Sequence, residues 1–548
     1  MSDSVINMAE MDESHKMGYL GATSYVVGNI IGSGIFITPT SILRSTNSIG
    51  LSLIVWLLCA VIAILGSICY IELGTAIREA GCDFAYICYV KWYSIAFAFM
   101  FVSVLMTYPA TVAITAESFG QYLVEGLKQV YDIDEDYIPT VQKLFGFSLL
   151  WLVTWMNFFS LSKFAARFQI VATAAKLLSC FLIIAIGFYY YFFKGWDNNL
   201  HHPMRGSNYH AGDLILGFYG GLWAYSGWDV LNYSTGEIAK PKRNMPLALL
   251  SGISLVAIVY IAMNVAYFVV LDVETVKSSN AVAVLFSQAS MGSLSNLIPF
   301  LIGILFIGSL NSNLFSGSRY MYAAARQGHL PACFSCVNKE TESPRVAVFA
   351  QSLLAFLISF VGDLDTLINY VMFGFWAQRI FSLVALLIIR YKRIPVHPDA
   401  VRVPISCIWL FLLTTVALVV IPIFQEFEVT ALAIGIILVG FGLYFFTIHP
   451  KSLPYWAIRL NEQSTLFCCI VFDCFPDLKP GVGGLFGSES SQALLVKTDS
   501  STRLSEDSLP DLHSDEKNIM RRSGSTAGLK MLNFSVPTSL VDLISDVQ

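Results

Sequence analysis

Lipid offers no hydrogen-bond partner to a backbone amide, so a chain enters a bilayer either as helices of about 20 apolar residues or as a closed barrel. This 548-residue sequence contains twelve apolar segments of helical length, near residues 19–44, 49–76, 92–122, 144–161, 165–193, 211–236, 247–271, 295–327, 345–361, 364–391, 403–424 and 429–448. They predict an all-α polytopic membrane protein with twelve transmembrane helices. Composition agrees, with 55% of residues apolar and 13% charged. Of the 71 charges, 21 follow Pro450 and 5 fall in the first sixteen residues. The stretch 17–450 is therefore about a tenth charged, against about a quarter in soluble domains. A soluble enzyme, a disordered scaffold and a nucleic-acid binder are excluded, because no basic block exists and the net charge is -5.

Orientation follows from the lysine and arginine bias of the loops. With the N-terminus inside, the inner loops carry thirteen such residues and the outer loops six. Both termini are then cytosolic. The N-terminal tail, 1–16, is acidic and lacks the pattern of a cleavable signal, so the first hydrophobic helix does the targeting. Residues 451–480 begin with PYWAIRLNEQSTLFCCIVFDCF, too polar to span, and are expected along the inner interface. Cys468, Cys469 and Cys474 there are either sites of acylation or unmodified thiols, and the second reading is preferred. Residues 481–548, rich in Ser, Asp and Gly, read as a disordered cytosolic tail in which Arg521, Arg522 and Ser523 form a short basophilic phosphorylation match. The eleven cysteines show neither metal-ligand spacing nor a disulfide framework, and no nucleophile–base grouping or phosphate loop occurs. No metal, no cofactor and no enzymatic activity is expected.

Two of the spans are interrupted. The first reads SYVVGNIIGSGIFITPT, with Gly28, Gly32, Ser33 and Gly34 in mid-helix, and the sixth reads GFYGGLWAYSGWDVLNYSTGEIAKPKRNMP, with Gly217, Gly220, Gly221, Ser226 and Gly227. Interruptions five helices apart are the mark of an inverted-repeat transporter whose substrate binds where both helices unwind. A broken helix exposes N–H groups at the start of its second half and C=O groups at the end of its first. Gly32, Ser33 and Gly34 would cradle a carboxylate by backbone alone. The carbonyls near Ile30 and from Trp223 to Ser226 would accept from an ammonium group. One site thus matches both halves of an α-amino acid. Small residues in membrane helices also serve close packing, and either motif alone would not decide between the two roles.

These residues resemble the amino acid, polyamine and organocation transporters, in particular the L-type light chains of heteromeric amino acid transporters. The matching strings are GNIIGSGIFITPTSIL, WLLCAVIAILGSICYIELGTAIREAGCDFAYI, GGLWAYSGWDVLNYSTGEIAKPKRNMPLAL and NSNLFSGSRYMYAAARQGHLP, which together cover most of 17–450. The resemblance implies a five-plus-five inverted repeat with two further helices, broken first and sixth spans, and alternating access. It assigns substrate carboxylate contacts to Ser33 and Gly34 and ammonium contacts to the carbonyls of Ile30, Trp223 and Ser226, beside Gly227. It makes Trp223 an aromatic gate. Lys176, in the fifth span, would project its ammonium to where sodium-coupled relatives hold an ion, which implies sodium-independent transport; snorkelling is the alternative.

Thr107, Thr111 and Thr115 repeat every four residues, so they share one face of the third span. Thr111 and Thr115 are candidate pocket residues, and hydroxyls bonded to their own helix are the competing reading. Phe375 and Trp376 in the tenth span would wall an apolar side-chain pocket.

The chain departs from the light-chain pattern in two ways. The loop after the third span, GQYLVEGLKQVYDIDEDYIPTVQKL, has no cysteine, so no disulfide-linked heavy chain is expected there; independent trafficking or a non-covalent partner remains. Charges also stand within spans at Asp229, Arg379 and Glu117. Each of the first two should face a cavity or a partner, since an unpaired charge in the bilayer is costly, and each is a candidate partner for the other. Asp229 is expected to cap the second half of the sixth span, in preference to binding a cationic substrate or a proton.

The sequence and the resemblance together point to a plasma-membrane, sodium-independent exchanger of large neutral L-amino acids, with aromatic ones as candidates. The rival readings are a carrier of cationic amino acids or polyamines that uses Asp229, and a membrane amino acid sensor that signals through its tail.

Overall fold

The computed structural model describes residues 18–478, apart from 78–81, 129–130, 132–133, 160–161, 197, 234–237, 280, 340, 342, 363, 399, 426 and 450–453. The tails expected over 1–16 and 481–548, with Arg521, Arg522 and Ser523, lie outside the described residues. Among the described residues each of the twelve apolar segments contains a helix. The first span is α1 (Tyr19–Ile30) and α2 (Gly34–Thr46), bent by 50°. The second is α3 (Ile49–Ala76), which starts at Ser48, whose hydroxyl accepts from the Leu51 amide at 3.3 Å. A short connector helix, α4 (Asp83–Tyr89), leads into the third span, α5 (Tyr93–Val102) and α6 (Tyr108–Leu127), joined through a π turn at Ser103–Thr107 just before Pro109.

The fourth and fifth spans are α7 (Ile138–Phe158) and α8 (Ser162–Lys194). The sixth begins as α9 (Ala211–Ala224) and leaves the helical path there, within the expected interruption. The seventh is α10 (Pro241–Val270), started by a proline whose missing amide costs nothing at that position. Two short helices, α11 (Val273–Ser278) and α12 (Val282–Ser290), precede the eighth span, α13 (Leu297–Arg326). Then come α14 (Arg345–Ile358), α15 (Leu364–Tyr391), α16 (Ile405–Gln425) and α17 (Phe427–Leu443). Among the described residues eight helices are long and apolar enough to cross a membrane, and the bent first pair makes a ninth. Helix α7 carries Gln142, Lys143 and Asn157 at its ends, while α9 and α14 have only fourteen residues each.

Packing follows the exchange that an inverted repeat requires. The first span (α1) packs on the seventh (α10), as the sixth (α9) does on the second (α3). The third (α6) meets the ninth (α14) as the eighth (α13) meets the fourth (α7), and α6 meets α15 as α13 meets α8. Large apolar side chains such as Phe193, Phe424 and Phe446 are exposed at 80%, 85% and 75%, as lipid-facing residues are. The segment after the last span is a helix, α18 (Tyr455–Phe472), followed by β2 (Phe475–Pro476), which pairs antiparallel with β1 (Cys336–Val337) beyond the eighth span.

Candidate functional site

Helix α1 ends because Gly32 and Ser33 turn away after Ile31, whose amide still donates to Val27 at 2.9 Å. Ser33 then starts α2 without a side-chain cap, its carbonyl accepting from Phe36 and Ile37 at 3.0 and 3.2 Å. Among the described residues no backbone carbonyl accepts from the amides of Gly32, Ser33 or Gly34. Those three amides therefore stand at the positive end of α2, where an anion is favoured. Ser33 is 8% exposed, so the break is buried.

The sixth span breaks between Ala224 and the short 3-10 turn Val230–Asn232. Gly227 has φ +95, a conformation that a Cβ would oppose, and its carbonyl accepts from Val230 at 3.1 Å. The two breaks touch. A Cβ on Gly34 would come within 2.5 Å of Ala224 Cα, and one on Gly227 within 3.4 Å of Asn29 Cβ. Gly217, Gly220 and Gly221 lie instead inside α9 and pack on Ser45, Ile42 and Cys59, so for these three the close-packing role holds and the break belongs to Tyr225–Asp229.

Tyr260 of α10 links the breaks, a role that nothing local in the sequence signals. Its hydroxyl lies 2.8 Å from the Ile30 carbonyl and 3.0 Å from that of Ala224, the C-terminal ends of both half-helices. Trp56 and Tyr225 hold the ring at centroid distances of 5.5 and 5.0 Å. Of the three carbonyls expected to receive an ammonium group, Ile30 is thus already engaged by Tyr260, and Trp223 accepts the Ser226 amide at 3.0 Å. Each keeps a second lone pair. The Ser226 carbonyl accepts from no backbone amide among the described residues. Trp223, the expected gate, is buried in the last turn of α9 at 7% exposure.

Lys176 reaches the same region. Its ammonium donates to the Gly28 carbonyl at 3.1 Å, a group left without its helical donor because Gly32 has left the helix. A cation at this C-terminal end also opposes the negative pole of α1.

Asp229, Phe375 and Trp376 depart from their expected roles, whereas Arg379, Thr111 and Thr115 take roles that the sequence leaves open. Asp229 precedes the 3-10 turn yet makes no side-chain cap. Its carboxylate Oδ2 instead accepts from Arg379 Nη2 at 3.1 Å, because a buried carboxylate gains more from a guanidinium than from one amide. Phe375 and Trp376 are not open pocket walls. With Trp228 they surround the Arg379 guanidinium, whose carbon lies 5.6, 4.9 and 4.9 Å from the three ring centres, as cation–π attraction favours. Thr111 and Thr115 turn their hydroxyls onto the carbonyls four residues back, at 2.8 Å each, which leaves them little capacity for a ligand; Thr115 also accepts from Asn313 at 3.1 Å. Glu117 is buried on the same helix.

Asp83 completes the ionic cluster and was not singled out by sequence reasoning. It is buried, it accepts from the Tyr70 hydroxyl, and its carboxylate gathers with those of Asp229 and the Cys82 thiol within 4.8 Å. Burial pushes the Asp83 carboxyl above the usual carboxylate range, against the pull of Arg379 and the Tyr70 hydrogen bond. Such a trio resembles a metal-ligand set, but the cation among these groups is the Arg379 guanidinium.

Residues 17–450 match the family model described as amino acid permease. The chain is 45% identical over 490 residues to amino acid transporter protein 6 of Caenorhabditis elegans, which covers 87% of this chain and 93% of the relative. It is 33% identical over 462 residues to the human cystine/glutamate transporter, covering 84% and 91%. Its identity to the b(0,+)-type amino acid transporter 1 of Rattus norvegicus is 32% over 465 residues, covering 85% and 94%.

Proposed function

Because the chain belongs to the amino acid permease family, we propose that it exchanges large neutral L-amino acids across the plasma membrane without sodium. The observation that carries this reading is the contact between the two broken spans, where the buried amides of Ser33 and Gly34 lie beside the ends of α1 and α9. Those amides receive the substrate carboxylate, and the Ser226 carbonyl with the second lone pairs of Ile30 and Trp223 receives the ammonium group. Trp223 closes over the bound zwitterion. Lys176, bonded to Gly28, supplies a fixed positive charge in place of a coupling ion. Both termini face the cytosol, and no heavy chain is attached through a disulfide after the third span, where cysteine is absent.

A neutral substrate is favoured over a cationic one because the Asp229 carboxylate is matched by Arg379. The test is uptake of labelled leucine, phenylalanine and arginine by cells expressing the chain, in sodium and in a sodium-free medium. Leucine and phenylalanine uptake that is indifferent to sodium is expected. Arginine uptake that Asp229→Asn abolishes while leucine uptake, normalised to surface expression, persists would overturn the assignment in favour of the cationic reading.

A further inference from the structure

We propose that Cys336 and Cys469 are a reversible redox pair, whose disulfide fastens the C-terminal helix α18 to the end of the eighth span and slows transport. The two sulfurs lie 3.7 Å apart. A disulfide is about 2.05 Å long, so side-chain rotation has to close a gap of roughly 1.6 Å. Neither cysteine sits on a loose loop. Cys336 is in β1, paired with Pro476 of β2, and Cys469 is in the last turns of α18. The junction is stitched by Asn461, which accepts from the Ala332 amide at 2.9 Å, by Asn338, which donates to the Asp473 carbonyl at 2.6 Å, and by Arg326 at the end of α13, paired with Asp477 at 3.2 Å.

The two thiols are chemically unlike. Cys336 is fully buried, and Cys469 is partly exposed. The contact with Cys336 holds Cys469 below the usual thiol range, whereas the same contact, and then burial, push Cys336 up. A partly exposed thiol that gives up its proton more readily, beside a buried resolving thiol, is the arrangement that redox-sensing cysteines use. The adjoining contact of Cys333 with Cys468 lacks this asymmetry, since burial raises both, Cys333 to about 12. In the topology proposed above the junction faces the cytosol, where thiols stay reduced until an oxidant appears.

With hydrogen peroxide as oxidant, the Cys469 thiolate attacks one peroxide oxygen, forming Cys469–SOH and releasing hydroxide. The Cys336 sulfur then attacks the Cys469 sulfur. The S–S bond forms, the S–O bond breaks, and the hydroxyl leaves as water with the Cys336 proton. Two thiol sulfurs are oxidised and one peroxide is reduced.

The test treats the full-length chain in liposomes with peroxide, blocks remaining thiols, and maps peptides without reduction, with uptake measured on the same samples. Expected are a peptide pair joined through Cys336 and Cys469 and lighter by two hydrogen atoms, together with a loss of uptake that dithiothreitol reverses. Cys469→Ser and Cys336→Ser should each abolish the linkage and keep uptake insensitive to peroxide. Both thiols remaining open to alkylation, a linkage through Cys333, Cys468 or Cys474 instead, or unchanged uptake in the linked protein would each overturn the proposal. The peptide map reads the pair even in a chain that transports none of the amino acids tried.

Discussion

Arg379 and Asp229 form an ion pair at 3.1 Å with side chains only 7% and 9% exposed, joining the tenth span to the last residue of the break in the sixth. Removing one partner leaves a buried charge alone, which costs about 3–5 kcal/mol. Arg379→Gln and Asp229→Asn should therefore each lower thermal stability in detergent strongly, and the double variant should recover much of the loss. A thermal-shift double-mutant cycle checks this; strictly additive losses would mean that the two groups do not depend on each other.

Tyr260→Phe deletes the single hydroxyl proton that the carbonyls ending both half-helices share. The expected cost is roughly 1–3 kcal/mol for the buried groups left unpaired. Because those carbonyls edge the proposed substrate site, uptake should fall further than the stability loss explains. Measuring initial uptake rate against surface expression separates the two effects.

The glycines of the first span should differ sharply. Gly34→Ala drives a Cβ to within 2.5 Å of the Ala224 backbone, which cannot swing aside as a side chain can, so folding yield and uptake should collapse. Gly28→Ala meets nothing within 4 Å and should fold normally. Gly227→Ala, at φ +95, should destabilise by roughly 1–2 kcal/mol from its backbone conformation alone. Equal effects at Gly28 and Gly34 would argue against the observed contact between the breaks.

Asp83 gives a pH prediction. Its carboxyl is raised by burial, so the folded state holds the proton longer than the unfolded chain does. The stability this contributes is complete below the ordinary carboxylate value and is lost as pH rises through the raised folded value. Asp83→Asn keeps an acceptor for Tyr70 and does not titrate. Its melting temperature relative to the parent chain should therefore climb as pH increases through that window, and a constant difference would contradict the assignment.

The hydrophobic spans and the break at Gly32 and Ser33 were legible in the sequence because both are local: a run of apolar residues specifies a span, and clustered glycines weaken one. The end of α9 at Ala224 falls within the stretch Trp223 to Ser226 where the sequence places the carbonyl end, but the roles of Gly217 and Gly221 were not legible, since glycines that pack against Ser45 and Cys59 look the same in sequence as glycines that break a helix. What the sequence leaves open concerns partners far apart in the chain. Asp229 is 150 residues from Arg379, and Tyr260 is 230 from Ile30. Capping propensity favoured a local role for Asp229, but the tertiary packing offered it a guanidinium. Phe375 and Trp376 read as apolar walls because only the fold brings Arg379 between them and Trp228.

The most direct test of the central claim is uptake of labelled leucine into liposomes that contain the purified chain alone, with unlabelled leucine either enclosed or left out. An exchanger whose two breaks bind the zwitterion on either face takes up label quickly only into the preloaded vesicles, with or without sodium. Uptake that ignores the preload, or that requires a sodium gradient, would contradict it.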